Sequence, residues 1–528
     1  MSETLLPPWV RPVSPEHVAP QDDQTTSFEA ALGRAPGQVQ SWADPRWQIK
    51  REFKSVRGDE RAALRAALAE ARGRGRSVRA TVYDPQRGGF PGTELVTNGT
   101  FASGTTGFTA TAEHSLSVSD RVLRVKRAQV VAAASVSGPA LTGLTQYAPY
   151  ACRVFARTGR GSSAQFRAGI VDAVDGAALG STISTDGLST FAYVLNGTTA
   201  TPVLQDVTAL GAVVANDYFL VPFVSFSQCM LADNAPNMLT HSEQFDDSSW
   251  SKTNSTVTAD AVTSPDGTGT GDALNENTTN GLHQIQQSVT VASTGLDYAF
   301  SVAVVPSNRS WVQVLLSEGS GSTTAGCYFN SSTGAVGTGA VGANWARLRT
   351  FVKSLGNGWY VFTIVARKTN AATTISAVVQ AASGNGTNSY AGTGTQSAVS
   401  LWRATLSQSS VPSRLSSTTT TANATGTGQS GAGLYVKGLT ASTSELLKAD
   451  DWIDWNGELK QLTAALDSDA AGLGYLQFRP LLAGSPADND PVIVNQPLGR
   501  FKLMNSYEYD NEFGLYMDAT VELTETFG

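Results

Sequence analysis

From about residue 94 to residue 415 the chain is written in short apolar alternations, RVLRVKRAQVV, YACRVFAR and DYFLVPFVSFSQC first, then YAFSVAVVP, WVQVLLSEG and WYVFTIVAR. Each is cut off within a strand's length by Gly, Ser, Asn or Asp. A period of two puts successive side chains on opposite faces of a strand. Many such strands at short, regular spacing, with no helical period between them, pack as antiparallel sheets face to face. The middle of the chain is therefore expected to be all-β.

The pattern also starts twice. ELVTNGTFASGTTGF opens one series near residue 94, and NMLTHSEQFDDSSW opens a second at residue 237. This divides the middle into two sandwiches, 94–235 and 236–415. The second opening phrase is expected to be the first strand of its sandwich, with Leu239 and Phe245 turned inward and Trp250 closing the edge.

The two ends read differently. Residues 1–93 are rich in Arg and Glu: RWQIKREF alternates Trp47, Ile49, Arg51 and Phe53 on one strand face. GDERAALRAALAEARGRG follows as a helix, with Asp59 at its start, an apolar stripe of Leu64, Ala67, Leu68 and Ala71, and Gly73 and Gly75 ending it. SVRATVYDP is a further strand. After SSTTTTANATGTGQSGAG, a linker over 416–433 too poor in large apolar residues to form a core, charged text returns in 434–528. There Trp455-Asn456-Gly457-Glu458 has the residues of a tight hairpin turn, and GLYMDATVELTE sets Leu515, Met517, Ala519, Val521 and Leu523 on one face. Residues 1–93 supply too few elements for a core of their own. The two ends are expected to form one β-rich domain with one helix, opened at the tip RGGFPGTE (87–94) to carry both sandwiches.

A formal net charge of −7 over 528 residues gives no electrostatic case for nucleic acid or an anionic membrane. No apolar run approaches the roughly 18 residues of a membrane span, and MSETLLPPWVRPVSP lacks the basic-then-apolar layout of a secretory signal. The basic run Arg72, Arg74, Arg76 and Arg79 lacks interleaved aromatics and reads as a solvated or intersubunit surface. Cys152, Cys229 and Cys327 are too few and too far apart for a disulfide framework or metal knuckle, and fit buried thiols of a protein made in a reducing cytoplasm.

Catalytic chemistry finds little material. His17, His114, His241 and His283 show no metal-ligand spacing, and no nucleophile elbow or phosphate loop is present. Asp246, Asp247, Asp260, Asp266 and Asp272 cluster in the second sandwich; they could pair for sugar hydrolysis, hold a structural Ca2+, or serve turns. No specific calcium motif supports a metal, and no cofactor is called for. Aromatics are more informative, because a flat ring can stack on the apolar face of a sugar. Trp359 and Trp402 fall in apolar alternation and are assigned to the core. Trp311, Tyr328, Trp345 and Tyr390 lie nearer turns and are the candidate glycan contacts.

The second series, from NMLTHSEQFDDSSW through GNGWYVFTIVA to YAGTGTQSAVSLWRATLSQSSVPSRL, resembles a jelly-roll, carbohydrate-binding-like module of tailed-phage structural proteins. The first resembles jelly-roll carbohydrate-binding modules that open on Asn-Gly-x-Phe, here Asn98, Gly99 and Phe101, although Ala102 stands where their acidic residue does. The segment KGLTASTSELLKADDWIDWNGELKQL through PLGRFKL, with PRWQIKREF and its helix, is similar to distal tail or baseplate-hub proteins of long-tailed phages. The resemblance implies a non-enzymatic virion protein at the tail tip, typically a hexameric ring. Its implied partners are itself, the tail tube protein, the hub or baseplate and the tape-measure protein, and its modules would contact host surface polysaccharide. A ring would turn weak sugar contacts into avidity. A glycan-degrading tail protein and a tail fibre or capsid decoration protein are the alternatives.

Overall fold

The computed structural model describes residues 3–5, 17–21, 46–56, 58–71, 77–81, 93–127, 135–158, 165–180, 187–207, 218–292, 295–318, 323–394, 396–420, 433–503, 509–512 and 516–525. Among the described residues the architecture is mainly β, with one helix, Gly58–Ala71.

Strands from the two ends of the chain share one seven-stranded sheet. Its order is Glu3–Leu5, Ser77–Thr81, Leu498–Leu503, Tyr516–Glu525, Arg46–Val56 and His17–Gln21, with Tyr509–Glu512 also pairing with Tyr516–Glu525. Phe53 lies opposite Ala519, and Ala80 opposite Gly499. The helix lays Leu64, Leu68 and Ala71 against Trp47, Ile49, Phe53, Val78, Phe501 and Leu523. The stripe and the alternation read from the sequence are thus two faces of one core. Arg79 is buried here, not on a surface; Arg72, Arg74, Arg76, Gly73, Gly75 and the tip 87–92 lie outside the described residues.

Residues 434–528 divide in a way the sequence pattern hides. Met230–Ala232, Gly433–Lys437, Leu473–Arg479, Glu458–Leu462, Trp452–Trp455 and Pro491–Ile493 close into a six-stranded barrel, filled by Met230, Val436, Ile453, Leu462, Leu476, Phe478 and Val492. Only beyond it does the chain rejoin the seven-stranded sheet. Asn456 and Gly457 both have positive φ, 49° and 84°, as a two-residue hairpin turn requires. A Cβ on Gly457 would sit 1.9 Å from Arg79 Nη1, so only glycine fits.

Both middle units are two-sheet antiparallel sandwiches. In the first, Gly187–Val194, Pro149–Thr158, Tyr218–Gln228, Val122–Arg127 and His114–Ser119 form one sheet. Gly176–Leu179, Phe166–Asp172, Thr199–Asp206, Ser135–Ser137 and Thr109–Ala110 form the other. In the second, Trp345–Gly356, Trp359–Lys368, Asp297–Pro306, Ser397–Ser407, Gly271–Glu276 and Ser255–Val262 face a sheet of Val336–Val341, Thr323–Asn330, Trp311–Glu318, Thr374–Ala382, Asn280–Thr290 and Ser251–Thr253. Taken in chain order the strands match one for one once Leu141–Thr142, which pairs with Thr199–Asp206 in the first sandwich, is set aside. The second sandwich adds Val336–Val341 and Trp345–Gly356, consecutive strands that extend opposite sheets at their edges, and the short Ser389–Ala391.

The opening phrases are structural anchors, and the second is not a strand: 237–250 runs through bends and turns, and the first strand is Ser251–Thr253. Asn98 is buried; its amide donates to the carbonyls of Gly104 and Thr106 and accepts from Ser103 N. Asn237, fully buried, donates to Ala404 O and Ser416 O and accepts from Leu239 N and Leu406 N. Each asparagine thus satisfies backbone groups that the chain leaves unpaired on entering the sandwich. Leu239, Phe245 and Trp250 are core residues. Ser416 and Thr418 belong to this closure too, since Thr418 Oγ1 donates to Leu239 O, so the second sandwich runs past residue 415; 421–432 lie outside the described residues.

Candidate functional site

Four adjacent strands of the second sandwich's seven-stranded sheet turn Ile285, Val379, Val314 and Cys327 into the core. The intervening residues face outward. Register places Gln284 opposite Gln380, Gln380 opposite Gln313, and Gln313 opposite Tyr328. One amide row therefore crosses three strands and ends on a phenol. Two residues before Gln313 on the same face stands Trp311, its ring against the bare backbone of Gly337.

The row is held by its own hydrogen bonds. Gln380 Nε2 donates to Gln284 Oε1 at 2.5 Å, and Asn388 Nδ2 donates at 2.8 Å to both Gln313 Oε1 and Gln380 Oε1. Gln380 and Tyr328 are only 5% and 8% exposed, while Gln284, Gln313, Asn388 and Trp311 are half-buried. Among the described residues, Gln313 Nε2, Asn388 Oδ1, Trp311 Nε1 and the Tyr328 hydroxyl receive no partner. The result is a fixed, uncharged array of donors and acceptors beside a ring face. It suits a ligand that is polar at its edges, apolar on its flat side and without formal charge. Burial pushes the Tyr328 phenol upward, which keeps it a neutral donor.

Trp311 and Tyr328 thus stand together on this face. Trp345 does not: it is 4% exposed inside the core and donates Nε1–H to Thr323 O. Tyr390 is 8% exposed, gives its hydroxyl proton to Glu276 at 2.7 Å and lies under the Arg309 guanidinium. Both rings are committed to packing, because a turn-proximal aromatic can fold back over the sandwich end as readily as face solvent. Burial raises the Glu276 carboxyl, but hydrogen bonds from Arg309, Tyr390 and Thr393 outweigh it and hold the group at about 2. Trp359 and Trp402 are buried as expected, in a separate cluster with Ala303 and Val361 on the other sheet's outer side.

The acidic residues of this sandwich serve its loops. Asp272, buried, accepts from Phe245 N and Asp260 N. Asp266 accepts from Thr268 and Ser264, which hold it at about 2, and pairs with Arg403. Asp247 accepts from Ser249 N and lies 3.7 Å from His241. Among the described residues no group of three or more His, Cys, Asp or Glu could hold a metal ion, and no helix is long and apolar enough to cross a membrane. The three cysteines are free and buried; burial pushes the Cys152 thiol up to about 12. Cavities of about 320 and 400 Å³ lie where the first sandwich meets the barrel, away from the amide row.

No family model matches the chain, and no curated protein matches it. Among solved structures, the tandem CBM22-1–CBM22-2 domain of Paenibacillus barcinonensis Xyn10C is 12% identical, covering 60% of this chain and 98% of that one, with a TM-score of 0.23. TmCBM61 in complex with β-1,4-galactotriose is 8% identical over 25% of this chain and 97% of that one, TM-score 0.20. The enzymatically active domain of bacteriophage CBA120 tailspike protein 4 is 11% identical over 26% and 21%, TM-score 0.19. Likenesses at this level establish neither a shared family nor a shared function.

Proposed function

We propose that this chain is a non-enzymatic structural protein of a long-tailed phage, with a core built from its two ends that forms a ring at the tail tip and displays a saccharide-binding face on its second sandwich. One observation carries the binding part: the row Gln284–Gln380–Gln313–Tyr328, with Trp311 beside it, offers rigid neutral hydrogen-bonding groups and an aromatic platform on one sheet face. Neutral sugars present hydroxyl edges and an apolar ring face, which is the complement of that array. The carrier part is supported by the pairing of the chain's ends in one sheet and by the resemblance of those ends to distal tail proteins. The ring, its hexameric count, the tail tube, hub and tape-measure partners and the tail-tip location follow from that resemblance.

Binding of the intact protein to a panel of neutral polysaccharides tests the face. Trp311→Ala and Gln380→Ala are each expected to lower affinity on the order of tenfold, the loss of one stacking or buried amide contact. Unchanged binding in both variants overturns the reading. Electron microscopy of the assembled protein tests the carrier, which is expected to form a closed ring.

A further inference from the structure

The first sandwich repeats the strand order of the second, so its strands Ser135–Ser137, Thr199–Asp206 and Phe166–Asp172 occupy the places of Asn280–Thr290, Thr374–Ala382 and Trp311–Glu318. Part of its other sheet's outer face is covered: Ala151, Arg153 and Phe155 dock there on the barrel and the terminal core. The sheet that corresponds to the amide-bearing one points away from that contact. Val136, Ala200, Leu204, Phe166, Ala168 and Ile170 face its core. Facing outward, register aligns Ser135 with Gln205, and Gln205 with Arg167.

A row of the same kind therefore exists with one change of chemistry: a guanidinium stands on the strand that carries Gln313 in the second sandwich. Arg167 is half-buried, and both Nε and Nη2 donate to Gln205 Oε1, at 2.9 and 2.8 Å. This fixes the plane of the guanidinium while leaving Nη1 uncommitted. No carboxylate pairs with Arg167 among the described residues. The outward neighbours Ser135, Ser137, Thr201, Val203 and Gly169 are small or uncharged, so among the described residues this cation has no counter-ion. A planar, pre-oriented fork of N–H donors matches a carboxylate.

We propose that the outer face of this sheet is a second saccharide site, centred on Arg167 and Gln205 and selective for sugars bearing a carboxylate, such as uronic acid units. The proposal extends the saccharide reading of the second sandwich to a different face with a different ligand class. The test uses the full-length chain and two probes that differ only in charge, polygalacturonate and its methyl-esterified form. The wild-type protein is expected to prefer the free acid on the order of tenfold, the scale of one charge-assisted contact, and the preference is expected to weaken with added salt. Arg167→Gln is expected to abolish the preference and Arg167→Lys to restore part of it. A wild-type protein that binds both forms equally, or neither, overturns the proposal, as does a preference that survives Arg167→Gln. Trp311→Ala separates the two sites. Neutral polysaccharide binding lost in Trp311→Ala, with no effect of Arg167→Gln on acid binding, sinks this site alone. Acid preference lost in Arg167→Gln, with neutral binding untouched by Trp311→Ala, upholds it and sinks the other.

Discussion

The two sandwiches share a strand order but are held in different ways. The first spends one sheet's outer face on its neighbours: Phe155 and Phe223 pack with Leu5 and Leu498 of the terminal core, and the fully buried Arg153 reaches Asp454 at 3.1 Å and the carbonyls of Asn495 and Gln496. The second keeps a large self-contained core and enters at the end of a hairpin, because Ala232 before it pairs with Val436 after it. Its ties outside that hairpin are Lys353 to Asp469, the Lys437 ammonium, which meets Asp488, Asp233, Ser409 and Ser413, Arg414, which donates its N–H to Asp233 and lies over the Tyr435 ring, and Val411, buried against Ala151, Leu231 and Ile493. The sandwiches touch each other where Arg347 and Arg367 meet Asp175 and Arg349 lies over the Tyr147 ring. The same topology can thus serve as a wedge between domains or as an appended module, and the outward residues of one sheet decide which.

Removing the first sandwich is expected to have the largest effect. Its excision uncovers Leu5, Leu498 and Asp454 together, so the terminal sheet and barrel are expected to lose their cooperative unfolding transition in circular dichroism. Next comes Arg153→Ala, which leaves Asp454 buried without its cation. Breaking such a pair from one side costs about 3–5 kcal/mol, readable as a lower denaturant midpoint, whereas Lys353→Ala at the exposed tie of the second sandwich is expected to change little.

Glu525 sharpens the comparison by pH. Its buried carboxylate accepts from Trp47 N and Leu459 N, joining the terminal sheet to the barrel. Burial raises it from 4.5 to about 7, against the pull of Lys460. The folded state therefore holds this proton more tightly than the unfolded chain, and the stability it contributes is complete below 4.5 and lost as pH rises through about 7. The loss is of the order of 3 kcal/mol. Glu525→Gln is expected to flatten that decline; an unchanged pH profile of unfolding contradicts the assignment. Smaller than the Glu525 effect is Tyr390→Phe, which removes one hydrogen bond to ionised Glu276. It is expected to lower stability by about 2 kcal/mol and leave saccharide affinity untouched.

Much of this was legible in period and punctuation. The alternation of RWQIKREF and the helical stripe each map onto a single element, because a period of two or 3.6 leaves little choice of partner face, and the two restarts at Asn98 and Asn237 fall where the two sandwiches begin. The barrel was not legible: Met230–Ala232 is a three-residue strand separated from its partner Gly433–Lys437 by an entire sandwich, and so short a run carries no pattern. At the site, aromatic identity and nearness to turns selected Trp311 and Tyr328 together with Trp345 and Tyr390, since a large ring near a turn serves a core as well as a surface. The better signal was polar: Gln313 and Gln380 each interrupt an apolar strand, Gln284 recurs on the strand beside them, and an amide recurring on the outward period of neighbouring strands has no packing reason to be there.

The separability of the second sandwich, and its possession of the neutral-saccharide face, can be tested in one experiment: replace residues 236–420 by a short Gly-Ser turn joining the hairpin Met230–Ala232/Gly433–Lys437, then measure unfolding and polysaccharide binding on the same sample. A remainder that still unfolds cooperatively and has lost neutral polysaccharide binding is the predicted result. A remainder that unfolds on excision, or one that retains neutral binding, contradicts it.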